Sequence, residues 1–484
     1  MLGFTGRILA SQCNSCTLYR TLTSCITVPK SEYVIRRQRL AASIARDVSL
    51  KSDTSSRHLI VLPSAELQYM AYHIPYPFLQ DSNFMYFTGL KEVIGALMLA
   101  VTIQPNGITD PCYTSEEHLF IEVRTPHEEI WDGPTMSESA VSELTGIQCT
   151  SSLKELPAFL RHSSKNATLW YAPLMESESD KRPLNKLVLS EIFKIKDTVR
   201  KVFSPQPFID RLRLVKSENE IRCLKLAATT TADCLIKTMK ASRPGVTEDF
   251  IRCKLEYESG IRGVTLGYPP VVAGADRANV IHYLRNNHTI EDGDLVLVDV
   301  GCRLEGYTAD LTRTWPINGR FSSIQLVLYE ILIETIEKCS NMATPDRSLS
   351  DIHHIMLEEL RKHLVNERIL PKEDSEALVQ KICPHHVGHY LGLDIHDTPT
   401  IPYSRRLEPG IVFPLEPGIY LPHDLVKFRV LKECIGIGMR LEDDFVINKS
   451  GKAESLCGNL PRDPSALESV VSSEIRTQSS KQVL

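Results

Sequence analysis

Residues 294–302 read DLVLVDVGC, an almost unbroken apolar strand with a carboxylate, Asp299, in its middle. A strand that is apolar on both faces belongs inside a covered sheet. A carboxylate placed there is costly unless it is hydrogen-bonded, paired or bound to a cation. The chain must therefore fold so that something answers this charge. The same conflict recurs downstream. Asp310 lies in GYTADLTRTWP, Glu416 among the apolar residues of IVFPLEPGIY, and Glu442 in IGIGMRLEDDFVI. Any one of these reads most simply as a strand-end group facing water. Four in one half of the chain, beside the histidine-rich run CPHHVGHYLGLDIHD (383–397), point instead to a shared site.

That run holds His385, His386, His389 and His396, four of the 15 histidines in the chain. Four carboxylates with one or two imidazoles make an oxygen-rich donor set. Such a set suits Mn2+, Co2+ or Fe2+, and Zn2+ can also be held. Four negative charges exceed what one divalent ion neutralises, so two carboxylate-bridged ions about 3.5–4 Å apart balance the set better.

With 484 residues, 42% apolar and 24% charged, the composition is that of a soluble chain with two or three domains. The net charge of −5, without blocks of like charge, gives no sign of a nucleic-acid surface or a polybasic membrane patch. The longest apolar runs, such as VIGALMLAV, are about half a membrane span and read as buried strands. Thirteen scattered cysteines suit a reducing compartment better than a disulfide framework. Cys13 and Cys16 form one CxxC without the second pair that a zinc site needs. The first thirty residues contain no acid, carry Arg7, Arg20 and Lys30, and are rich in Ser and Thr. This is the composition of a mitochondrial transit segment; the alternative is an ordinary loose terminus on a cytoplasmic protein.

The patterning predicts a basic amphipathic helix from Ser31 to about Val48. Strands are expected at 58–63, 93–101, 118–123 and 168–173. A helix is suggested over 152–163, weakened by Pro157. A second unit is expected from Ile209. Its helices fall at 218–242, at 246–260 with Thr247 as cap, at about 325–342, and at 348–366 with Ser348 and Asp351 at capping-box spacing. Strands are expected around 295–315 and on to Ile447. The polar tail after Gly458 is expected to be loose.

The order of Asp299, Asp310, His389, Glu416 and Glu442, within VDVGC, YTADLTRTWP, GHYLGLDIHD, LEPGIY and RLEDD, resembles the pita-bread metallopeptidases. Within them it resembles the aminopeptidase P branch. The likeness runs from about residue 31 to about 450 and includes YPFLQDSNFMYFTGL, WDGP, LRLVKS, YPPVVAG and TRTWPINGRF. It implies an α/β (α+β) chain: a transit segment (1–30), an aminopeptidase P-like N-terminal α/β domain (31–208), a pita-bread metallopeptidase domain (209–458) and a tail (459–484). It further implies hydrolysis of the bond between an N-terminal residue and a following proline, by hydroxide bridged between two divalent ions, most readily Mn2+. By the same resemblance Asp299 chelates one metal, Asp310 and Glu442 bridge, and His389 and Glu416 bind the other. Glu416 also shuttles protons, His282 stabilises the tetrahedral intermediate, and His396 binds substrate. Tyr268 and Arg440 match further substrate-site positions. His385 and His386 match positions with no direct metal role. Trp131 is either a core aromatic or a lid over the substrate of a neighbouring subunit, which would make the protein a homodimer. The partners implied are peptides with proline second, and neither nucleic acid nor membrane.

Two departures matter. Pro414 stands where the family pattern has Thr, removing a hydroxyl and an N–H near Glu416. The stretch KFRVLKECIGIGMRLEDD carries extra residues, which puts the register of Arg440 and Glu442 at issue. The rival readings are a prolidase restricted to Xaa-Pro dipeptides and a non-catalytic pita-bread binding module. Retention of all five ligand types disfavours the second. A methionine aminopeptidase is disfavoured by the large N-terminal domain.

Overall fold

The computed structural model of the chain describes residues 27–47, 57–103, 113–171, 183–195, 199 and 201–481. Cys13, Cys16 and most of the expected transit segment lie outside the described residues. Two compact units form, Val28–Arg213 and the chain from Leu214 onward.

The first unit opens with the helix Lys30–Arg46. Its strands are β1 (Arg57–Pro63), β2 (Tyr69–Ala71), β3 (Ile74–Pro75), β4 (Gly95–Ile103), β5 (Tyr113–Ile121), β6 (Cys149–Ser152), β7 (Thr168–Trp170) and β8 (Lys201–Phe203). One six-stranded sheet runs β6-β5-β4-β1-β7-β8, and β2 and β3 pair separately. β4 is antiparallel to β1 and β5, while β7 lies parallel to β1. Leu59, Val61, Ala96, Met98, Ala100 and Phe120 alternate onto one face, as period-two patterning requires. They pack with Leu156, Leu160 and Val188 from the helices Leu156–Ser163 and Pro183–Ile195. Pro157 does not break its helix. It occupies the first turn, where a missing N–H costs nothing, behind a short 3-10 turn at Leu153–Glu155.

The second unit begins with helices Glu218–Ala241 and Glu248–Ile261. The first carries a Ser217/Glu220 capping box, and the second is capped by the Thr247 hydroxyl. Strands β9 (Thr265–Leu266), β10 (Val271–Gly274), β11 (Leu295–Val300), β12 (Cys302–Leu304), β13 (Tyr307–Thr308) and β14 (Leu311–Pro316) follow. Next come helices Ser323–Met342, Leu349–Asn366 and Ser375–Ile382, the middle one with the expected Ser348/Asp351 capping box. β15 (Val412–Leu415), β16 (Gly418–Tyr420), β17 (Gly438–Arg440), β18 (Asp443–Ile447) and β19 (Ala453–Ser455) complete the strands.

Register is what builds the site. In the antiparallel ladder β10-β11-β14, Asp299 lies opposite Thr312. An isolated bridge then pairs Thr312 with Glu442, so Asp299, Thr312 and Glu442 form one row across three segments. The stretch between Arg429 and the glycine-rich strand lies outside this row and is folded into a 3-10 turn at Lys432–Cys434. Beyond it β17 pairs regularly with β16, Gly418 with Arg440 and Tyr420 with Gly438, which fixes the register of Arg440.

The tail departs from expectation. Rather than being loose, Pro464–Lys481 is a helix whose Leu467 and Val471 are fully buried. Those residues are four apart and share one face, and the Glu468 carboxylate accepts the Phe321 N–H at 2.8 Å. A few apolar residues at helical spacing outweigh a polar composition. No helix among the described residues is long and apolar enough to cross a membrane.

Candidate active site

Asp310, His389 and Glu442 are 4%, 8% and 2% exposed, and each offers one donor atom lying within 4.8 Å of the others. Different elements deliver them. Asp310 precedes β14, and its N–H donates to the Asp444 carboxylate at 3.1 Å. Glu442 sits between β17 and β18, its N–H donating to the Thr312 carbonyl at 3.1 Å. His389 lies in the loop after the helix Ser375–Ile382, with Nδ1 3.1 Å from the Tyr390 carbonyl and Nε2 3.3 Å from Asp310. Its inner nitrogen is thereby fixed and its outer one faces the carboxylates.

Asp299 and Glu416 flank this group. The Tyr268 hydroxyl lies 2.7 Å from Asp299 and 2.6 Å from Asp310, so its proton serves carboxylates. Arg440, 2% exposed, directs its guanidinium to Asp299, to Thr312 at 3.0 Å and to the Tyr420 hydroxyl at 2.8 Å. The Thr312 hydroxyl in turn donates to Glu442. Thr312, Tyr420 and Asp444 were not singled out in the sequence. The only local signal was alternation: Thr312 and Thr314 bond to Arg440, while Arg313 between them pairs with Asp443 on the opposite side of the strand.

The electrostatics are those of carboxylates crowded out of water. Burial pushes Glu416 up to about 7 against the pull of His389 and Arg440, and pushes Asp299 up to about 6 against Arg440. Burial, then Asp310 and Glu416, raise Glu442 well above the usual range. Burial opposes charge on His389, yet its hydrogen bond to Asp310 raises it. Such a set favours bound cations. Three converging buried donors, two more carboxylates beside them, and charges only partly answered by Tyr268, Arg440 and Thr312 fit divalent ions.

The remaining histidines separate by place. The His396 ring meets His389 edge-on at 4.5 Å; burial and then His389 lower its pKa. His385 lies 3.6 Å from Glu416 and 3.1 Å from the Tyr420 hydroxyl, behind the carboxylates. His386 turns away and stacks between His353 and Tyr403, each 4.5 Å off. His282 is exposed on a loop held by the wholly buried Glu248, which accepts from the Gly274 N–H, Arg277, the Tyr283 hydroxyl and the His288 N–H. Pro414 lies opposite Asp444 in β15, its carbonyl so close to Gly388 that a Cβ there would sit 2.0 Å away. The neighbouring bonds Glu416 N–H to Val387 and Leu391 N–H to Val412 hold the strand despite the missing donor. Trp131, on the short helix Pro126–Asp132 of the first unit, is 77% exposed and is not a core residue.

Residues 222–449 match Metallopeptidase family M24, and residues 33–170 match the Aminopeptidase P, N-terminal domain. The chain is 38% identical over 450 residues to Xaa-Pro aminopeptidase 3 of Mus musculus, covering 91% of this chain and 86% of the relative. It is 32% identical over 455 residues to intermediate cleaving peptidase 55, mitochondrial, of Arabidopsis thaliana, covering 93% and 84%. In three dimensions it resembles Zn-substituted E. coli aminopeptidase P in complex with product, with a TM-score of 0.80 and 26% identity over 92% of this chain and 99% of that one. Proline aminopeptidase P II from Yersinia pestis gives a TM-score of 0.80 and 26% identity over 92% and 100%.

Proposed function

Because this chain belongs to metallopeptidase family M24, in its aminopeptidase P branch, we propose that it is a metal-dependent aminopeptidase releasing an N-terminal residue from peptides with proline second. The observation that carries the reading is the buried convergence of Asp310, His389 and Glu442 beside Asp299 and Glu416. Family M24 implies divalent metal ions. Asp299, Asp310, His389, Glu416 and Glu442 are the residues that would hold two of them, and the oxygen-rich set favours Mn2+. When bound, the ions supply Lewis acidity and a nucleophile at neutral pH.

The chain's own groups do the rest. The scissile bond is a tertiary amide whose nitrogen leaves poorly unless protonated. Glu416 takes the proton of the attacking water and returns it to the proline nitrogen. His282 donates to the oxygen that gains charge in the transition state. His396 orients the scissile region. Tyr268 and Arg440 bind substrate beside the carboxylates to which they are hydrogen-bonded. Trp131 of a second copy closes over the substrate in a homodimer.

The acid-free N-terminus and the mitochondrial relative support import into mitochondria. Fusing residues 1–50 to a fluorescent reporter tests this, and a diffuse cytosolic signal is the contrary result. The peptidase reading is tested by elemental analysis and a peptide panel. Cleavage of Xaa-Pro peptides of three residues and longer is expected. Cleavage of dipeptides alone would make the protein a prolidase, and an intact fold without metal would make it a binding module.

A further inference from the structure

Two sequence motifs remain without a role in this account: the lysine of LRLVKS and the aspartate that follows His396. They meet inside the second unit. The Lys216 ammonium lies 2.9 Å from Asp397 Oδ2, and both side chains are 1% exposed. The ammonium also donates to the Leu214 carbonyl at 3.2 Å.

Each partner is tied to a different part of the site. Val215 forms an antiparallel bridge with Ile411, and the Lys216 N–H donates to Gly410 at 2.9 Å. Ile411 leads straight into β15, which ends beside Glu416. The backbone of Lys216 is thus fixed to the strand that delivers one candidate ligand. Asp397 closes the loop that carries the other groups. Its N–H donates at 2.9 Å to the Tyr390 carbonyl, the same oxygen faced by His389 Nδ1. Gly392 presses against the Asp397 carboxylate, where a Cβ would lie 2.5 Å from Oδ2. The segment from His389 to Asp397 is therefore folded back on itself, with the imidazole facing Asp310 at one end and His396 beside the clamp at the other.

A buried ion pair adds little net stability over apolar residues of the same volume, because desolvation offsets the attraction. Its directional geometry is what apolar packing cannot supply. We propose that Lys216 and Asp397 are positioning residues, a buried clamp that holds the His396 ring toward the substrate. This rests on the substrate role given to His396 above.

A double-mutant comparison tests it. Asp397→Asn keeps the side-chain shape and removes the charge. The pair Lys216→Met/Asp397→Leu replaces both charges with apolar groups. Each is made alone and with His396→Ala, and metal content, melting temperature, kcat and KM are measured on an Xaa-Pro tripeptide. Both clamp variants should keep their metal. Their kcat should fall roughly ten- to a hundredfold, as expected for a displaced catalytic group. In the His396→Ala background that loss should vanish. Should the apolar pair fail to fold, Asp397→Asn carries the same comparison. Unchanged kcat, loss of metal, or a loss that multiplies in full with His396→Ala would each overturn the clamp. If His396→Ala alone turns over like wild type, the reading of His396 fails on that arm, and the clamp with it.

Discussion

Thr312 Oγ1 lies 2.5 Å from Glu442 Oε2 and 3.0 Å from Arg440 Nε, so one hydroxyl joins a buried carboxylate to a buried guanidinium. Removing it leaves both groups short of a partner where water cannot substitute. Thr312→Val, nearly isosteric, should cost about 1–3 kcal/mol of stability. Through its hold on Glu442 it should weaken metal binding roughly ten- to a hundredfold. Metal titration of the folded variant, alongside denaturant unfolding, measures both.

The His389 and His396 rings meet edge to face, yet their substitutions should diverge. His389→Ala removes the one imidazole among the five proposed ligands and should lower metal occupancy and abolish activity. His396→Ala should keep the metal and lose roughly a hundred- to a thousandfold in rate, the usual cost of a hydrogen bond made in the transition state. Metal content and turnover on an Xaa-Pro peptide separate the two. Metal loss in His386→Ala with none in His389→Ala would mean that the wrong imidazole had been chosen.

The metal-free protein should show an unusual pH dependence. Glu416 rises from 4.5 to about 7 on folding, and Asp299 from 3.8 to about 6. The folded chain then binds more protons than the unfolded chain between roughly pH 4 and 7, so stability falls as pH rises through that window. Cations should remove this dependence by favouring the ionised carboxylates, and metal affinity should weaken as pH drops below about 7. Unfolding of chelated and metal-loaded protein across this range tests the sign. Chelated protein that gains stability with rising pH would contradict it.

Leu467 is fully buried on the C-terminal helix. Leu467→Ala should cost about 2–5 kcal/mol, with metal content unchanged while the protein stays folded. Equilibrium unfolding provides the number. A value near zero would return the segment to the loose tail its composition suggests.

The candidate ligand types were legible in the sequence because burying a carboxylate in an apolar strand is locally anomalous. Asp299 in LVLVDV and Glu416 in VFPLEPG are visible without knowing their neighbours. The long helices at Glu218–Ala241, Glu248–Ile261, Ser323–Met342 and Leu349–Asn366 were legible for the same local reason, their caps and periodicity lying within a few residues. What the sequence could not reveal depends on register between distant segments. Nothing near Thr312 indicates that Glu442 lies across from it, or that Tyr420 stands between Arg440 and His385. Tyr268 and Arg440 were expected at the substrate. The structure shows Tyr268 donating to Asp299 and Asp310 and Arg440 donating to Asp299, bonds across the fold that no local pattern announces.

The 3-10 turns between β16 and β17 have a consequence for how this protein can change. Strand pairing on their far side is complete whatever the length of chain looped out before it. Changes of length within 423–434 are thus separated from Arg440 and Glu442 by the pairing of Leu421 with Gly436 and Ile437. The exposed Val426 and Lys427 mark a place where a fluorophore or an affinity tag could be inserted without disturbing turnover.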